Sequence, residues 1–345
     1  MKANLVPLLQ SALAGRYTVE RELGHGGMAT VFLAHDSEGK PVALKLLNPE
    51  LASTVGAERF RREIRVAARL QHPNIISVLD SGVASVPMGG GTVDFLWFTM
   101  PYVEGRNVWE RFEQEGAFSA AEVVRIGRAV ADALAYAHAQ GVVHRDIKPD
   151  NILLEGDRVL VADFGVARAV SEVAEKLTAT GMVVGTPTYM SPEQASGERE
   201  LDGRSDLFSL ACVLYELAAG EAPFHGPTPQ ATLMRRFTGP PRALRPVINV
   251  PEAVETAIVR ALARDPKDRY ETAADFARAL AGWPAPPMAH AARLAPAARP
   301  APAARPAPAA PPTAATAGAA GRKGCLGAVV LALVLGAGAV LATLT

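Results

Sequence analysis

The chain has little cysteine and no acidic residue beyond Asp275. Cys212 and Cys325 are the only cysteines among 345 residues. Two cysteines are too few for a disulfide framework, which favours a reducing compartment, and Cys212 falls in an apolar run that we expect to be core. Because six of the 35 basic residues also lie beyond Asp275, residues 1–275 hold 29 basic and 35 acidic side chains, a net charge of −6. This distribution lacks the clustered basic face that binds nucleic acid, so we expect no nucleic-acid partner.

The two ends of the chain differ from its middle. Residues 1–14 contain a short apolar run, but Pro7 and Gln10 interrupt it, so we expect an N-terminal extension over residues 1–16 and no secretory signal. Residues 282–323 are rich in Ala and Pro, with Arg-Pro-Ala-Pro at Arg299 and again at Arg305. This composition predicts an extended spacer. The alternative is a ligand for a domain that binds Pro-x-x-Pro segments.

The last stretch of the chain is apolar and uncharged. Residues 325–345 are long enough to cross a bilayer, because about 20 residues at ~1.5 Å each span roughly 30 Å. A buried core helix is the alternative, but no residues follow that could bury it. Arg322 and Lys323 precede the span and predict that the rest of the chain is cytoplasmic. Ala332 and Gly336 form a small-xxx-small pair that would assist pairing of such helices.

Two short motifs near the middle of the chain contain the candidate catalytic and metal-binding residues. The first is His144-Arg145-Asp146-Ile147-Lys148-Pro149-Asp150-Asn151, and the second is Asp163-Phe164-Gly165. Phosphoryl transfer from a nucleotide needs one carboxylate facing the accepting hydroxyl, and a second carboxylate and a carboxamide that hold magnesium. The motifs resemble the catalytic and metal-binding loops of protein kinases, and Lys148-Pro149 is similar to the Ser/Thr branch. The resemblance implies that Asp146 orients the hydroxyl and accepts its proton, that Lys148 steadies the phosphate, and that Asn151 and Asp163 bind the metal.

An upstream glycine cluster follows a strand predicted from Tyr17 to Leu23. Gly24, Gly26 and Gly27 would mark only a turn if they stood alone, but the segment Gly24–Val31 resembles the glycine-rich loop that covers the ATP phosphates in kinases. The Gly-Gly-Met sequence is similar to that of bacterial membrane-associated Ser/Thr kinases. Ala29 replaces the third glycine of the pattern.

A strand that ends in Lys45 follows, and then a helix predicted over residues 57–70. Lys45 stands where kinases have the lysine that pairs with the α- and β-phosphates. The resemblance implies a glutamate partner on the helix. Glu58 and Glu63 are both candidates, and Glu63 fits the family position better. An exposed helix charge is the alternative for Glu63.

Further positions match the adenine slot and hinge of kinases. Phe98–Gly105 resembles the hinge, with Met100 at the back of the pocket, Tyr102 and Val103 offering backbone hydrogen bonds to adenine, and Pro101 stiffening the segment. The apolar lining implied by the resemblance consists of Leu23, Val31, Ala43 and Leu153.

The second half of the motif set is structural. A helix is predicted over residues 121–140, ending at Gly141. Met190-Ser191-Pro192-Glu193 replaces the usual Ala-Pro-Glu, and the resemblance implies that Glu193 pairs with Arg269. Asp206 is implied to support the catalytic loop.

The segment between Asp163 and Glu193 resembles an activation segment. Thr178 and Thr180 correspond to the Thr-x-Thr pair that bacterial relatives carry, and we expect both to be autophosphorylated, in trans within a transient homodimer. Thr186 is implied to belong to the substrate platform, and Ser171 is a less favoured phosphosite. Arg145, before Asp146, would pair with such a phosphate.

The resemblance implies a two-lobed α+β protein kinase fold over residues 17–281. Residues 17–99 would form a small antiparallel sheet with one helix, 100–104 a hinge, and 105–281 a helical lobe. The implied enzyme transfers the γ-phosphate of ATP to Ser or Thr hydroxyls of proteins, with Mg²⁺ or Mn²⁺, and is anchored by its C-terminal helix as a single-pass protein of a bacterial inner membrane. The alternatives are a pseudokinase that binds nucleotide and partners, and a kinase of small molecules.

Overall fold

The computed structural model describes residues 5–49, 56–88, 91–165, 187–198, 200–244 and 250–281. Across these ranges, no helix is both long and apolar enough to span a membrane. The predicted spacer and the predicted span over residues 325–345 lie outside the described residues, as do Ser171, Thr178, Thr180 and Thr186.

The N-terminal lobe is built on a five-stranded antiparallel sheet with the order β1-β2-β3-β5-β4. Apolar residues on one face of the sheet, Phe32, Leu44 and Trp97 among them, form a common core. The strands are β1 (Tyr17–His25), β2 (Ala29–Asp36), β3 (Pro41–Leu47), β4 (Asp80–Met88) and β5 (Gly91–Pro101).

Among the described residues, α2 (Ala57–Ala67) is the one helix within residues 17–99, as predicted, and α1 (Leu5–Ala12) precedes that range. Leu9 is fully buried and packs into the same core as Trp97. Gln10 fixes the helix to β1, because its Oε1 accepts from the backbone N–H of Val19 at 2.7 Å. Pro7 stands in the first turn of α1, where a missing N–H breaks no helical hydrogen bond.

The C-terminal lobe is mainly helical and surrounds α6 (Gly203–Ala219), which is buried on nearly every side, as expected for a helix at the centre of a lobe. α4 (Ala120–Ala139) begins at a capping box formed by Ser119 and Glu122, and Gly141, with a φ of 73°, lies just beyond its end. The other helices are α3 (Val108–Glu115), α5 (Pro192–Ala195), α7 (Pro229–Thr238), α8 (Glu252–Ala261) and α9 (Ala273–Ala281).

The described part of this lobe also contains a small sheet and three short 3₁₀ turns. The strands β6 (Arg106–Asn107), β7 (Ile152–Glu155) and β8 (Arg158–Val161) pair antiparallel in that order. The turns are Pro149–Asn151, Pro187–Tyr189 and Pro266–Asp268. The first turn precedes β7 directly, so the small sheet positions the residues around Asp146.

The segment between α2 and β4 contacts the C-terminal lobe. Asn74 Nδ2 donates to Val159 O at 2.8 Å, and the N–H of Ile76 donates to Val161 O at 2.9 Å. The His72 ring stacks on Tyr136 of α4. These contacts link the small lobe to β8, which leads directly to Asp163.

Candidate active site

Asp206 holds the backbone of the segment that contains Asp146. Its carboxylate is completely buried on α6 and accepts from the backbone N–H groups of His144 at 2.8 Å and Arg145 at 2.7 Å. His138 Nε2 lies 2.7 Å from the same carboxylate. Burial would raise the pKa of Asp206, but the bond with His138 and the neighbouring charges hold it below its usual value. The three contacts support Arg145 in a left-handed conformation with a φ of 67°, which is costly for a residue other than glycine.

His144 joins the two loops of the site, and sequence reasoning gave it no role. Its ring is fully buried, its Nε2 lies 2.8 Å from Ala162 O, and its Nδ1 lies 3.3 Å from the backbone N of Asp146. In this arrangement Nε2 is placed to donate to the carbonyl oxygen and Nδ1 to accept from the backbone N–H. The ring also packs edge-on against Phe164 at 4.5 Å. The orientation of Asp146 is thereby coupled to the Asp163-Phe164-Gly165 loop.

Asp146, Lys148 and Asn151 form one hydrogen-bonded group. Lys148 Nζ donates to Asp146 Oδ2 at 2.6 Å, and Asn151 Nδ2 donates to Asp146 O at 2.8 Å and to its Oδ2 at 3.2 Å. Burial alone would lower the pKa of Lys148, but the charge of Asp146 and the bond to it raise it above its usual value. The ammonium therefore stays charged beside the half-buried carboxylate.

Lys45 pairs with Asp163 in this structure. Its ammonium donates to Asp163 Oδ2. Burial would raise the pKa of Asp163, but Lys45 holds it below its usual value, so the carboxylate is ionised. Asp163 has a φ of 68°, a second residue with left-handed backbone in the site. Two residues later, Gly165 packs closely against α2, because a Cβ added there would lie 2.9 Å from Ala67.

The predicted ion pair of Lys45 with Glu63 is wrong for this arrangement. Among the described residues, Lys45 forms its ion pair with Asp163 alone. Glu63 is buried on α2 and lies 3.4 Å from the guanidinium of Arg62, while Glu58 is exposed. The loop before Gly165 brings Asp163 within hydrogen-bonding distance of the Lys45 ammonium.

The donor set fits a magnesium ion. Asp163 Oδ1 is buried and accepts no hydrogen bond from the residues that the structure describes. Asn151 directs its Nδ2 to Asp146, which leaves its oxygen as the available ligand atom. A hard cation prefers such oxygen ligands and takes the remainder from phosphates and water. The described residues contain no group of three or more His, Cys, Asp or Glu arranged to hold a metal, so nucleotide phosphates would have to complete the coordination.

Gly26 and Gly27 lie in the hairpin loop between β1 and β2, and Gly24 lies near the end of β1. The loop is closed by a hydrogen bond from Gly26 N to Ala29 O at 2.8 Å, and Asn48 Nδ2 supports it by donating to Gly27 O at 2.7 Å. A Cβ added at Gly24 or Gly27 would meet no protein atom within 4 Å. Packing within the protein therefore does not require these two glycines, which is consistent with a loop kept clear for phosphate groups.

The predicted adenine slot divides between the two lobes. Ala43 on β3 faces Met100 across the β3–β5 pairing. Met100, Val103 and Leu153 pack together against a small buried cluster formed by Ile76, Leu160 and Ala162. Val31 and Tyr102 are half-buried, and Leu23 is one of the few large apolar side chains that are exposed. The structure thus brings Met100, Val103 and Leu153 of the predicted slot together.

Glu193 and Arg269 form a buried, bidentate ion pair. Arg269 Nη1 and Nη2 lie 2.7 and 2.8 Å from the two carboxylate oxygens. Ser205 Oγ donates to the same carboxylate at 2.6 Å. Burial would raise the pKa of Glu193, but Arg269 lowers it below its usual value. On the helix that contains Glu193, Gln194 Nε2 donates to Arg145 O at 2.8 Å and so connects α5 to the catalytic loop.

Comparisons with a protein-family model and with curated proteins agree with one another. A family model described as "Protein kinase domain" matches residues 17–279. The probable serine/threonine-protein kinase PknB of Corynebacterium glutamicum is 38% identical over 291 residues, which are 81% of this chain and 44% of that protein. The serine/threonine-protein kinase PknB of Mycobacterium tuberculosis is 38% identical over 272 residues, 77% of this chain and 42% of that protein. The chain spans less than half the length of these curated relatives.

Solved structures are also similar. The PknI kinase domain of Mycobacterium tuberculosis matches with a TM-score of 0.60 and 33% identity, over 78% of this chain and 96% of that one. Rad53 residues 1–466, in complex with AMP-PNP, match with a TM-score of 0.61 and 26% identity, over 76% of this chain and 64% of that one.

Proposed function

Since the kinase-domain model covers residues 17–279, the chain belongs to the protein kinase family, and we propose that it transfers the γ-phosphate of ATP to Ser or Thr hydroxyls of protein substrates. The two lobes, the order of the sheet and the loops around Asp146 and Asp163 agree with this family. The PknB relatives are serine/threonine-protein kinases by name, which supports the Ser/Thr preference.

The observation that carries the proposal is the hydrogen-bonded group of Asp146, Lys148 and Asn151 beside the ion pair of Lys45 and Asp163. It brings two carboxyl groups and two lysine side chains together within one site. Transfer of a phosphoryl group depends mainly on positioning and on electrostatic stabilisation, and such a group supplies both.

In the proposed reaction, Asp146 accepts the hydrogen bond of the substrate hydroxyl and takes up its proton as the oxygen attacks phosphorus. Lys148 remains charged and stabilises the negative charge on the transferring phosphoryl group. Lys45 binds the nucleotide phosphates that stay with the leaving group. The glycine-rich hairpin covers these phosphates with backbone N–H groups, and Met100, Tyr102 and Val103 contact the adenine.

Mg²⁺ and ATP follow from the family. Asn151 and Asp163 would hold Mg²⁺, or Mn²⁺ in its place. When bound, the cation neutralises charge on the phosphates. Asp163 would use the buried Oδ1, which accepts no hydrogen bond from described residues.

A small-molecule kinase and a pseudokinase are the rival functions. The anchored segment Pro187–Ala195 favours a protein substrate, because several contacts hold it to the catalytic loop and to α6. The presence of Lys45, Asp146 and Asp163 together in the site favours catalysis over binding alone.

Radiolabelled ATP offered to the purified chain with myelin basic protein tests the proposal. We expect label on Ser and Thr of the protein in the presence of Mg²⁺. Nucleotide binding without transfer would support the pseudokinase, and transfer only to small molecules in an extract would support the other rival.

We further propose that the enzyme is activated by autophosphorylation at Thr178 and Thr180, in trans within a transient dimer, and that it is tethered to a bacterial inner membrane by residues 325–345, with the kinase domain cytoplasmic. The Thr-x-Thr pair, the uncharged C-terminal run and the bacterial relatives support these points.

A further inference from the structure

Arg236 is a buried cation that has no carboxylate partner among the residues that the structure describes. It lies on α7 and is only 2% exposed. Its Nη2 donates to Pro187 O at 2.6 Å. Its Nε and Nη1 are buried without a hydrogen-bond partner, and it forms no ion pair with a residue that the structure describes. A guanidinium in this state reduces the stability of a folded protein, because its burial removes hydration without replacing it.

Arg269 provides the contrast within the same lobe. It is equally buried, but it forms two hydrogen bonds with Glu193 and three more with backbone carbonyl groups of Ala263, Arg204 and Arg264. The fold can therefore satisfy a buried guanidinium completely. Arg236 forms a single hydrogen bond, so a gain in folding stability does not explain why a charged side chain is buried here. That one bond is made to Pro187 O.

Pro187 begins a turn whose other residues are held to the core of the lobe. Ser209 Oγ of α6 donates to Tyr189 O at 2.8 Å, and the Tyr189 hydroxyl donates to Glu216 of α6. α5 follows the turn, and its Gln194 is bonded to Arg145 O. The end of the turn is thus fixed relative to the catalytic loop by α6 and α5. Its first residue is fixed by Arg236 of α7.

We propose that Arg236 is a positioning residue for the protein substrate. Its bond to Pro187 O holds the backbone directly after Thr186 at a set distance from Asp146, so that a substrate chain lying along this turn presents its hydroxyl to the carboxylate. The inference rests on the proposed function of the site. It assigns α7, which contributes no residue to the transfer itself, to the binding of the protein substrate and not of ATP.

The test uses the purified full chain with myelin basic protein as the substrate and compares Arg236→Met, Arg236→Lys and Arg235→Met. Methionine fills similar space without a donor, whereas lysine keeps one donor that can reach Pro187 O. Arg235 is exposed on the same helix and serves as the matched control. We expect Arg236→Met to raise the KM for myelin basic protein roughly tenfold, as for loss of one hydrogen bond to a charged group, while the KM for ATP stays unchanged. Arg236→Lys should restore most of the loss, and Arg235→Met should behave as wild type.

Hydrogen exchange supplies a readout that does not depend on activity. Arg236→Met should speed amide exchange in a peptide covering residues 187–195 and leave a peptide covering residues 144–151 unchanged. Its Tm should equal or exceed that of wild type, because a buried charge without an ionic partner is removed.

Three results would overturn the inference. They are a wild-type KM for myelin basic protein in Arg236→Met, equal losses toward ATP and protein, and failure of Arg236→Met to fold, which would assign the residue to stability. A wild-type chain that transfers no phosphate to any protein would instead refute the proposed function, so the two failures are distinguishable.

Discussion

Asp146 and Lys45 occupy different parts of the site, and their substitution should separate transfer from nucleotide binding. Asp146 contacts Lys148 and Asn151, whereas Lys45 contacts Asp163 on the metal side. We expect Asp146→Asn to lower kcat by about 10²–10⁴-fold, the usual contribution of a general base, and to leave ATP affinity nearly unchanged. Lys45→Ala should weaken both. Steady-state kinetics and binding of a fluorescent ATP analogue measure the two effects. Transfer at the wild-type rate by Asp146→Asn would show that the role assignment is wrong.

The pair of Glu193 and Arg269 should make stability depend on pH. Because Arg269 holds the pKa of Glu193 below its usual value, the stabilisation is present above the ordinary glutamate pKa of about 4.3 and is lost as the pH falls through the lower pKa of the folded state. Arg269→Met leaves a buried carboxylate without its partner and should cost about 3–5 kcal/mol at neutral pH.

Urea unfolding of wild type and Arg269→Met between pH 3 and pH 7 measures this difference. The control is Arg278→Met, which removes an exposed ion pair with Asp275 and should have little effect. A difference between wild type and Arg269→Met that does not shrink toward low pH would contradict the assignment.

Sequence reasoning found the residues that belong to short motifs and missed those that act through space. Asp146, Asn151 and Asp163 could be predicted because their types and spacing are constrained by phosphate chemistry. Gln194 contacts the catalytic loop and His138 contacts Asp206, which holds that loop, and no spacing rule connects either residue to the motif. The partner of Lys45 was predicted wrongly, because spacing places Glu63 on the correct helix but cannot tell which carboxylate lies nearest to the ammonium.

At the scale of elements, α1 is the feature that the sequence did not predict. Pro7 and Gln10 look like interruptions of an apolar run when only hydropathy is considered. In the fold, Pro7 stands in the first turn, and Gln10 bonds to the backbone of β1. The helix depends on the sheet that it covers, since a segment of this length is marginal in isolation. A helix of eight residues that depends on tertiary contacts in this way has too short an apolar pattern to be predicted from the sequence.

Leu9→Ala tests whether α1 belongs to the folded domain. Leu9 is fully buried among apolar side chains. Its truncation should therefore lower the free energy of unfolding by about 2–5 kcal/mol. Ser11→Ala, on the exposed side of the same helix, is the matched control. Urea unfolding followed by tryptophan fluorescence reports the change, because Trp97 lies in the same core. Equal stability of the two variants would show that α1 contributes nothing to the lobe.

At the scale of the whole molecule, the tail should determine where the enzyme is found. A chain truncated after Gly282 keeps every element of both lobes, and we expect it to be soluble and active. The full chain should sediment with membranes and resist carbonate extraction, because residues 325–345 are apolar and uncharged. Recovery of the intact chain in the soluble fraction without detergent would contradict the proposed anchor.

The proposed anchor would also bear on activation, because it would concentrate copies of the chain in one plane and favour phosphorylation in trans. A phosphate brings about −1.5 to −2 charges, which a guanidinium can bind through charge-assisted hydrogen bonds. Arg145 is the arginine next to Asp146, and its backbone is already held by Asp206 and Gln194. Mass spectrometry of the active chain should therefore show phosphate at Thr178 and Thr180, with Asp146→Asn as the control that cannot modify itself. The double variant Thr178→Ala/Thr180→Ala should lose most of its activity toward myelin basic protein, and full activity of that variant would rule the mechanism out.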